Sequence, residues 1–296
     1  MLTIWIRNSI IAAMILSPMG ILTTARGNWL DAAAPRVQLP NLVELRPGTF
    51  RYRLGGEFTR ADKPVIAPMV MVRIERPLTI MRHQVKATDY LRCVEAGACV
   101  ASGHDEATDL PVVGVSWRNA HDYASWLSRE TGVSFRLPTD EEWAYAAAER
   151  VVDDALPEDA YDGDPGRRML AKYDQGKNRE RTGDKNPRPI GSFGVNENDL
   201  LDVAGNVWEW TDTCFERATF DERGGAVPTG VNCGVRIAAG RHRAYVPDFI
   251  GNASAGGCSV GTPPSNLGIR LVRDDAPWSR LRTIIRWCQR LADSRT

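Results

Sequence analysis

Gly205-Asn206-Val207-Trp208-Glu209-Trp210 sets one carboxylate between two indoles in an otherwise apolar run. A carboxylate withdrawn from water needs a counter-charge or a metal ion. Asp202 lies seven residues before Glu209, and Gly205 and Val207 can turn backbone carbonyls towards an ion. Calcium takes about six to eight oxygens and mixes carboxylates with carbonyls in this way. An arginine partner for Glu209 answers the same need, and the residues alone leave both readings open. A second stretch, Phe135-Arg136-Leu137-Pro138-Thr139-Asp140-Glu141-Glu142-Trp143-Ala144-Tyr145-Ala146-Ala147, reads as a short strand running into a helix. Thr139 caps that helix, and Glu142 stands three residues on, where its side chain reaches back to the cap. Trp143, Ala146 and Ala147 form the inward stripe.

Outward from these stretches the chain reads as mixed helix and strand with long connections. Ser116 caps a helix from Trp117 to about Thr131, buried along Ala120, Tyr123, Ala124 and Leu127 and stopped by Gly132. Val70 to Ile80 alternates as a half-buried strand. Thr88 opens a short helix with Tyr90, Leu91 and Val94 on one face, closed at Gly97. Residues 151–190, 216–230 and 246–265 read as loops, and loops of that length in a compact domain are usually functional or pinned. Residues 26–64, rich in Pro, Gly and charge, read as a lead-in to a domain over 65–275. Residues 276–296 read as an amphipathic helix, with Trp278, Leu281, Ile284, Ile285, Cys288 and Leu291 at helical spacing.

The 296 residues carry 37 Lys+Arg against 37 Asp+Glu, so the chain has no overall charge with which to seek nucleic acid or an anionic membrane. Nine tryptophans point to a fold held by large anchors. Residues 1–25 read as a signal peptide: Arg7, then an apolar stretch from Ile10 to Leu22 broken by Ser17, Pro18 and Gly20, then small residues. The stretch is too short and broken for a membrane span, and the expected location is the periplasm or the exterior. Six cysteines suit an oxidising compartment.

Three segments carry a resemblance. Pro111-Val-Val-Gly-Val-Ser-Trp117 runs into Ala124-Ser-Trp-Leu-Ser128; the Phe135–Ala147 stretch follows; then come Pro189-Ile-Gly-Ser-Phe193, Gly205–Trp210 and Asn266-Leu-Gly-Ile-Arg270. In order and spacing they resemble the formylglycine-generating enzyme and sulfatase-modifying-factor family, over roughly residues 65–275. The resemblance implies an α+β fold, low in regular structure and related to C-type lectins. It implies disulfides Cys93–Cys99 and Cys214–Cys233, and a structural calcium ion on Asp202, Gly205, Val207 and Glu209. A second family calcium site, near residues 172–176, is degraded by Lys172.

The family's oxidases use two thiols that bind Cu(I), a soft metal suited to thiolates. Here the matching segment reads Arg236-Ile-Ala-Ala-Gly240-Arg-His-Arg, and the two thiol positions fall on Ala244 and Phe249. Copper is therefore not expected. His242, Arg243, Tyr245 and Cys258 are the candidate catalytic residues in its place. A solvated loop with internal salt bridges is the plainer reading of this stretch, and a disulfide to Cys288 or a buried thiol is the plainer reading of Cys258. The leading functional expectation is a non-standard maturation or tailoring factor for a protein, peptide or secreted metabolite, like the family members in pyoverdine maturation. A non-catalytic binding module is the alternative, and a copper-dependent formylglycine oxidase the third.

Overall fold

The structure is a computed structural model. It describes residues 37–102, 108–153, 155–156, 160, 164, 166–171, 173–174, 186–222, 224–251 and 266–275. The expected signal peptide, the C-terminal helix, Cys258 and Cys288 lie outside the described residues, as does most of 172–176.

A four-stranded sheet runs through the middle of the fold. It is built from β1 (Leu42–Leu45), β6 (Leu78–Met81), β12 (Val272–Arg273) and β7 (Phe135–Arg136), in the order β1-β6-β12-β7 and antiparallel throughout. Strand alternation sends neighbouring residues to opposite faces, so this sheet has a core on each side. Met81 and Leu271 belong to one cluster, with Tyr90 of α1 (Ala87–Glu95) and Tyr123, Trp126 and Leu127 of α2 (Trp117–Thr131). Leu78, Ile80 and Val272 belong to the other, with Trp143, Ala146 and Ala147 of α3 (Asp140–Ala147).

A second sheet follows the order β10-β9-β8-β3-β4. Its spine is the long hairpin of β8 (Trp208–Phe220) and β9 (Ala226–Ala239), flanked by β10 (Ala244–Pro247), β3 (Glu57–Arg60) and β4 (Lys63–Val65). The short β11 (Leu267–Gly268) runs parallel to β8. A separate ribbon pairs β2 (Gly48–Arg53) with β5 (Met69–Ile74). Among the described residues no helix is long and apolar enough to cross a membrane.

The helix termini follow the chemistry of their caps. Asn119 N donates to Ser116 Oγ at 3.2 Å, and α2 ends on Gly132, whose φ of 72° is a left-handed conformation that glycine adopts without strain. The Thr139–Glu142 capping box is complete, with Glu142 N donating to Thr139 Oγ1 at 3.1 Å and Thr139 N to Glu142 Oε2 at 2.9 Å.

Three expectations differ from the structure. Val70–Ile80 is two strands, β5 and β6, divided at Glu75-Arg76-Pro77; Pro77 cannot donate to a ladder. Residues 216–230 are not a loop but the outer part of the β8/β9 hairpin, which turns at Asp221–Gly225 with Gly224 at φ 81°. This part of β9 is exposed on both faces, so it lacks the apolar alternation that marks a strand. Residues 42–65, read as part of a lead-in, supply β1 to the central sheet and β3 and β4 to the second. Their strands are short and punctuated by Pro47, Gly55 and Gly56, which hides them from periodicity.

The two cysteine pairs implied by the resemblance are disulfides. Cys93–Cys99 closes the end of α1, and Cys214–Cys233 ties β8 to β9.

Candidate functional site

A cavity of about 230 Å³ opens between the β2/β5 ribbon, the start of α3 and the turn that joins β9 to β10. Arg51, Tyr52, Arg53, Asp140, His242 and Arg243 line it. The main-chain plan explains the meeting. Tyr52 and Arg53 end β2, Asp140 is the first residue of α3, and Gly240–Arg243 leave β9 beside them.

Asp140 is the centre of a polar network although only 2% of it is exposed. The Tyr52 hydroxyl donates to its Oδ2, and Arg243 Nη1 lies 3.5 Å from the same oxygen. Asp140 N in turn donates to Thr213 Oγ1 at 2.8 Å. Burial first, and the Asp140 charge second, push the Tyr52 phenol well above its ordinary range. That phenol stays a donor at physiological pH.

Arg243 Nη1 also donates to Arg53 O at 2.8 Å, and its guanidinium lies 5.4 Å from the Tyr52 ring centre. Gly55 leaves room for this: a Cβ there would meet Ile237 Cδ1 at 2.7 Å and Arg243 Nη1 at 3.2 Å. Arg53 holds Asp153 bidentately, Nε to Oδ1 at 2.6 Å and Nη2 to Oδ2 at 2.7 Å, and Nη1 donates to Ala67 O at 2.7 Å. The hydrogen bond from Arg53 holds the Asp153 carboxyl below the usual carboxylate range.

The structure brings two of the four candidate catalytic residues together. His242 and Arg243 line the cavity. The His242 ring meets the edge of Trp208 at 5.3 Å, and Trp208 Nε1 donates to His242 O at 3.1 Å. Tyr245 does not line it: its hydroxyl accepts from Gly56 N at 2.7 Å and its ring packs edge-on against Phe215 at 5.1 Å. Cys258 lies outside the described residues. Part of the loop is salt-bridged, as its plainer reading has it, with Asp248 held by Arg118 at 3.1 Å. Ala244 is buried in β10 and Phe249 is 68% exposed, and neither side chain can bind copper.

Tyr52, Arg53 and Asp140 escaped the sequence reading. The first two fall in the stretch taken for a lead-in. The third is the first residue of α3, directly after its Thr139 cap. An acidic residue beside a cap satisfies the helix dipole without further role, so it gave no separate signal.

Glu209 itself does not line this cavity, although Trp143, which does, belongs to its cluster. Glu209 and Arg270 are both fully buried and bound twice, Nε to Oε2 at 2.8 Å and Nη2 to Oε1 at 2.9 Å. Trp143 Nε1 donates to Oε2 and Gln84 Nε2 to Oε1, each at 2.7 Å. The Asp202 carboxylate accepts from Gly191 N and from Phe193 N at 2.7 Å. Gly205 O accepts from Arg241 Nη2 at 3.2 Å. These oxygens face N–H donors and two guanidinium groups. As arranged, Asp202, Gly205 and Glu209 do not fit a calcium ion, and Arg270 supplies the charge that Glu209 needs; Val207, the fourth residue of the expected set, is buried.

The fold and the buried Glu209 anchor define a C-type-lectin-like α+β scaffold with a polar cavity at the edge of its second sheet. The family described as Sulfatase-modifying factor enzyme 1-like domain matches residues 30–275, and the chain belongs to it. Among curated relatives, it is similar to the inactive C-alpha-formylglycine-generating enzyme 2 of Mus musculus, 35% identical over 57% of this chain and 51% of that protein. It is also similar to the formylglycine-generating enzyme of Streptomyces coelicolor, 32% identical over 55% of this chain and 52% of the other. The chain thus spans about half the length of these relatives. Among solved structures, PvdO from Pseudomonas aeruginosa matches at 21% identity with a TM-score of 0.49, over 79% of this chain and 94% of that one.

Proposed function

We propose that the protein is an exported maturation factor that acts on a protein, peptide or secreted metabolite at the cavity walled by His242 and Arg243, and not a copper-dependent formylglycine oxidase. One observation carries the reading. The segment that holds the oxidases' thiols contributes Gly240, His242 and Arg243 to the cavity wall instead. The rewritten stretch thus borders a concave polar site. The disulfides support export, because such bonds persist in oxidising compartments. Tyr52, Asp140 and Arg243 form a pre-set donor and acceptor array, which is what orients a substrate.

The test compares the secreted metabolites and periplasmic proteins of cells carrying the wild-type chain with those carrying His242→Ala, Arg243→Ala or Cys258→Ser. Altered products in the first two support the reading; unchanged products in all three refute it. A second reading, a binding module without turnover, is favoured by the commitment of Arg53 to Asp153 and Ala67 O. Capture of a periplasmic partner by both wild type and His242→Ala, with products unchanged, would establish it.

A further inference from the structure

We infer that the cavity receives the carboxylate-bearing end of its ligand, with Arg51 as the group that binds the carboxylate and Val151 and Val152 as the apolar rim beside it. This deepens the proposed site and rests on it.

The charges around the cavity do not balance. Three guanidinium groups line it, Arg51, Arg53 and Arg243, against two carboxylates, Asp140 and Asp153. Arg53 is spent on Asp153 at 2.6 Å, and Arg243 lies 3.5 Å from Asp140. The Arg51 side chain makes no hydrogen bond or ion pair to a described residue, and Arg51 is exposed. One positive charge with its fork of donors is left at the mouth. A guanidinium meets a carboxylate or a phosphate through paired N–H bonds. The two aspartates of the wall oppose further negative charge, so a single negative charge suits the site better than a phosphate dianion.

The rim gives the second half of the argument. Val151 and Val152 are 41% and 52% exposed where they border the cavity, and Met69 lines it as well. Apolar surface held in water at the mouth of a polar pocket is covered when a ligand brings an apolar group next to its charge. The size agrees. Sites for whole drug-sized ligands run to about 300–1,000 Å³, and this one holds about 230 Å³. It accommodates an end group. An aliphatic amino acid with a free carboxylate has that form, either at a peptide C-terminus or in an acylated metabolite.

Isothermal titration with N-acetyl-valine, the peptide acetyl-Ala-Ala-Val, the amides of both, and methyl phosphate tests the inference. Both free acids are expected to bind, with the amides and methyl phosphate about tenfold weaker, the usual consequence of losing a charge-assisted pair. Arg51→Gln should remove that acid-over-amide preference without moving the melting temperature, since the Arg51 side chain has no partner among the described residues. Tighter binding of the peptide acid identifies a C-terminus; tighter binding of acetyl-valine identifies a metabolite. Equal affinity for acids and amides, no binding of either acid, or a preference untouched by Arg51→Gln overturns the inference. The two levels separate cleanly. If the carboxylate preference fails while His242→Ala still alters the cell's products, the site stands and its ligand class falls. If acids bind at Arg51 and no variant alters products, the pocket is a carboxylate site without the maturation role.

Discussion

Glu209 shows how much a single residue can disclose. Its place between Trp208 and Trp210 says that it is buried and needs a partner, and that much was legible. The partner was not, because Arg270 lies 61 positions away and spacing says nothing about so distant a contact. Removing one member of a buried ion pair leaves the other charge stranded, at a cost of about 3–5 kcal/mol. Arg270→Met is therefore expected to destabilise by about that amount in urea unfolding, and Arg270→Met with Glu209→Leu to recover part of the loss. A double variant no better than the single one would deny the pairing its role. His83 gives a pH-dependent counterpart. Burial lowers its pKa from the usual value of 6.5, so near and below that pH the unfolded chain binds more protons than the folded one. Stability then falls as pH drops through 6.5. Urea midpoints at about pH 7.5 and about pH 5.5 should differ less in His83→Gln than in the wild type.

At the scale of elements, legibility followed local chemistry. The α2 helix begins after Ser116 and stops at Gly132 because both termini are written in adjacent residues, and the α3 capping box was visible for the same reason. Thr139→Ala is expected to cost about 1 kcal/mol, read as a lower urea midpoint at unchanged slope. The β8/β9 hairpin was illegible because the outer half of β9 is exposed on both faces, and nothing imposes a period on it. It is held by its own ladder, by β3 along the outer part of β8, and by Cys214–Cys233, which encloses a 19-residue separation. Closing a loop of that size is worth about 3 kcal/mol by restricting the unfolded chain. Cys214→Ser with Cys233→Ser should lower the melting temperature and speed proteolytic cutting near Asp221–Gly225. Unchanged cutting would show that the ladder alone holds the hairpin.

For the molecule as a whole, the family's long motifs were enough to specify the fold class, while the strands before residue 65 carried no signal of their own. β1 pairs with β6 at one edge of the central sheet, and a four-residue strand followed by Pro47 carries no period to announce that. The same whole-molecule view decides what the Glu209 cluster contributes. Trp143, which belongs to one core, donates to Glu209, and Trp210, the next residue along the chain from Glu209, belongs to the other. If Arg270 provides the counter-charge there, global stability does not depend on calcium. If calcium bound instead at about a hundred times its dissociation constant, it would add about 2.7 kcal/mol. For a domain of this size that is a shift in melting temperature of roughly 5–10 °C. Melting curves with and without a chelator are expected to differ by less than about 1 °C on that scale. A fall of several degrees would instead require Arg270 to release Glu209 to an ion shared with Asp202, Gly205 and Val207, and calcium would then be part of what holds the two cores together.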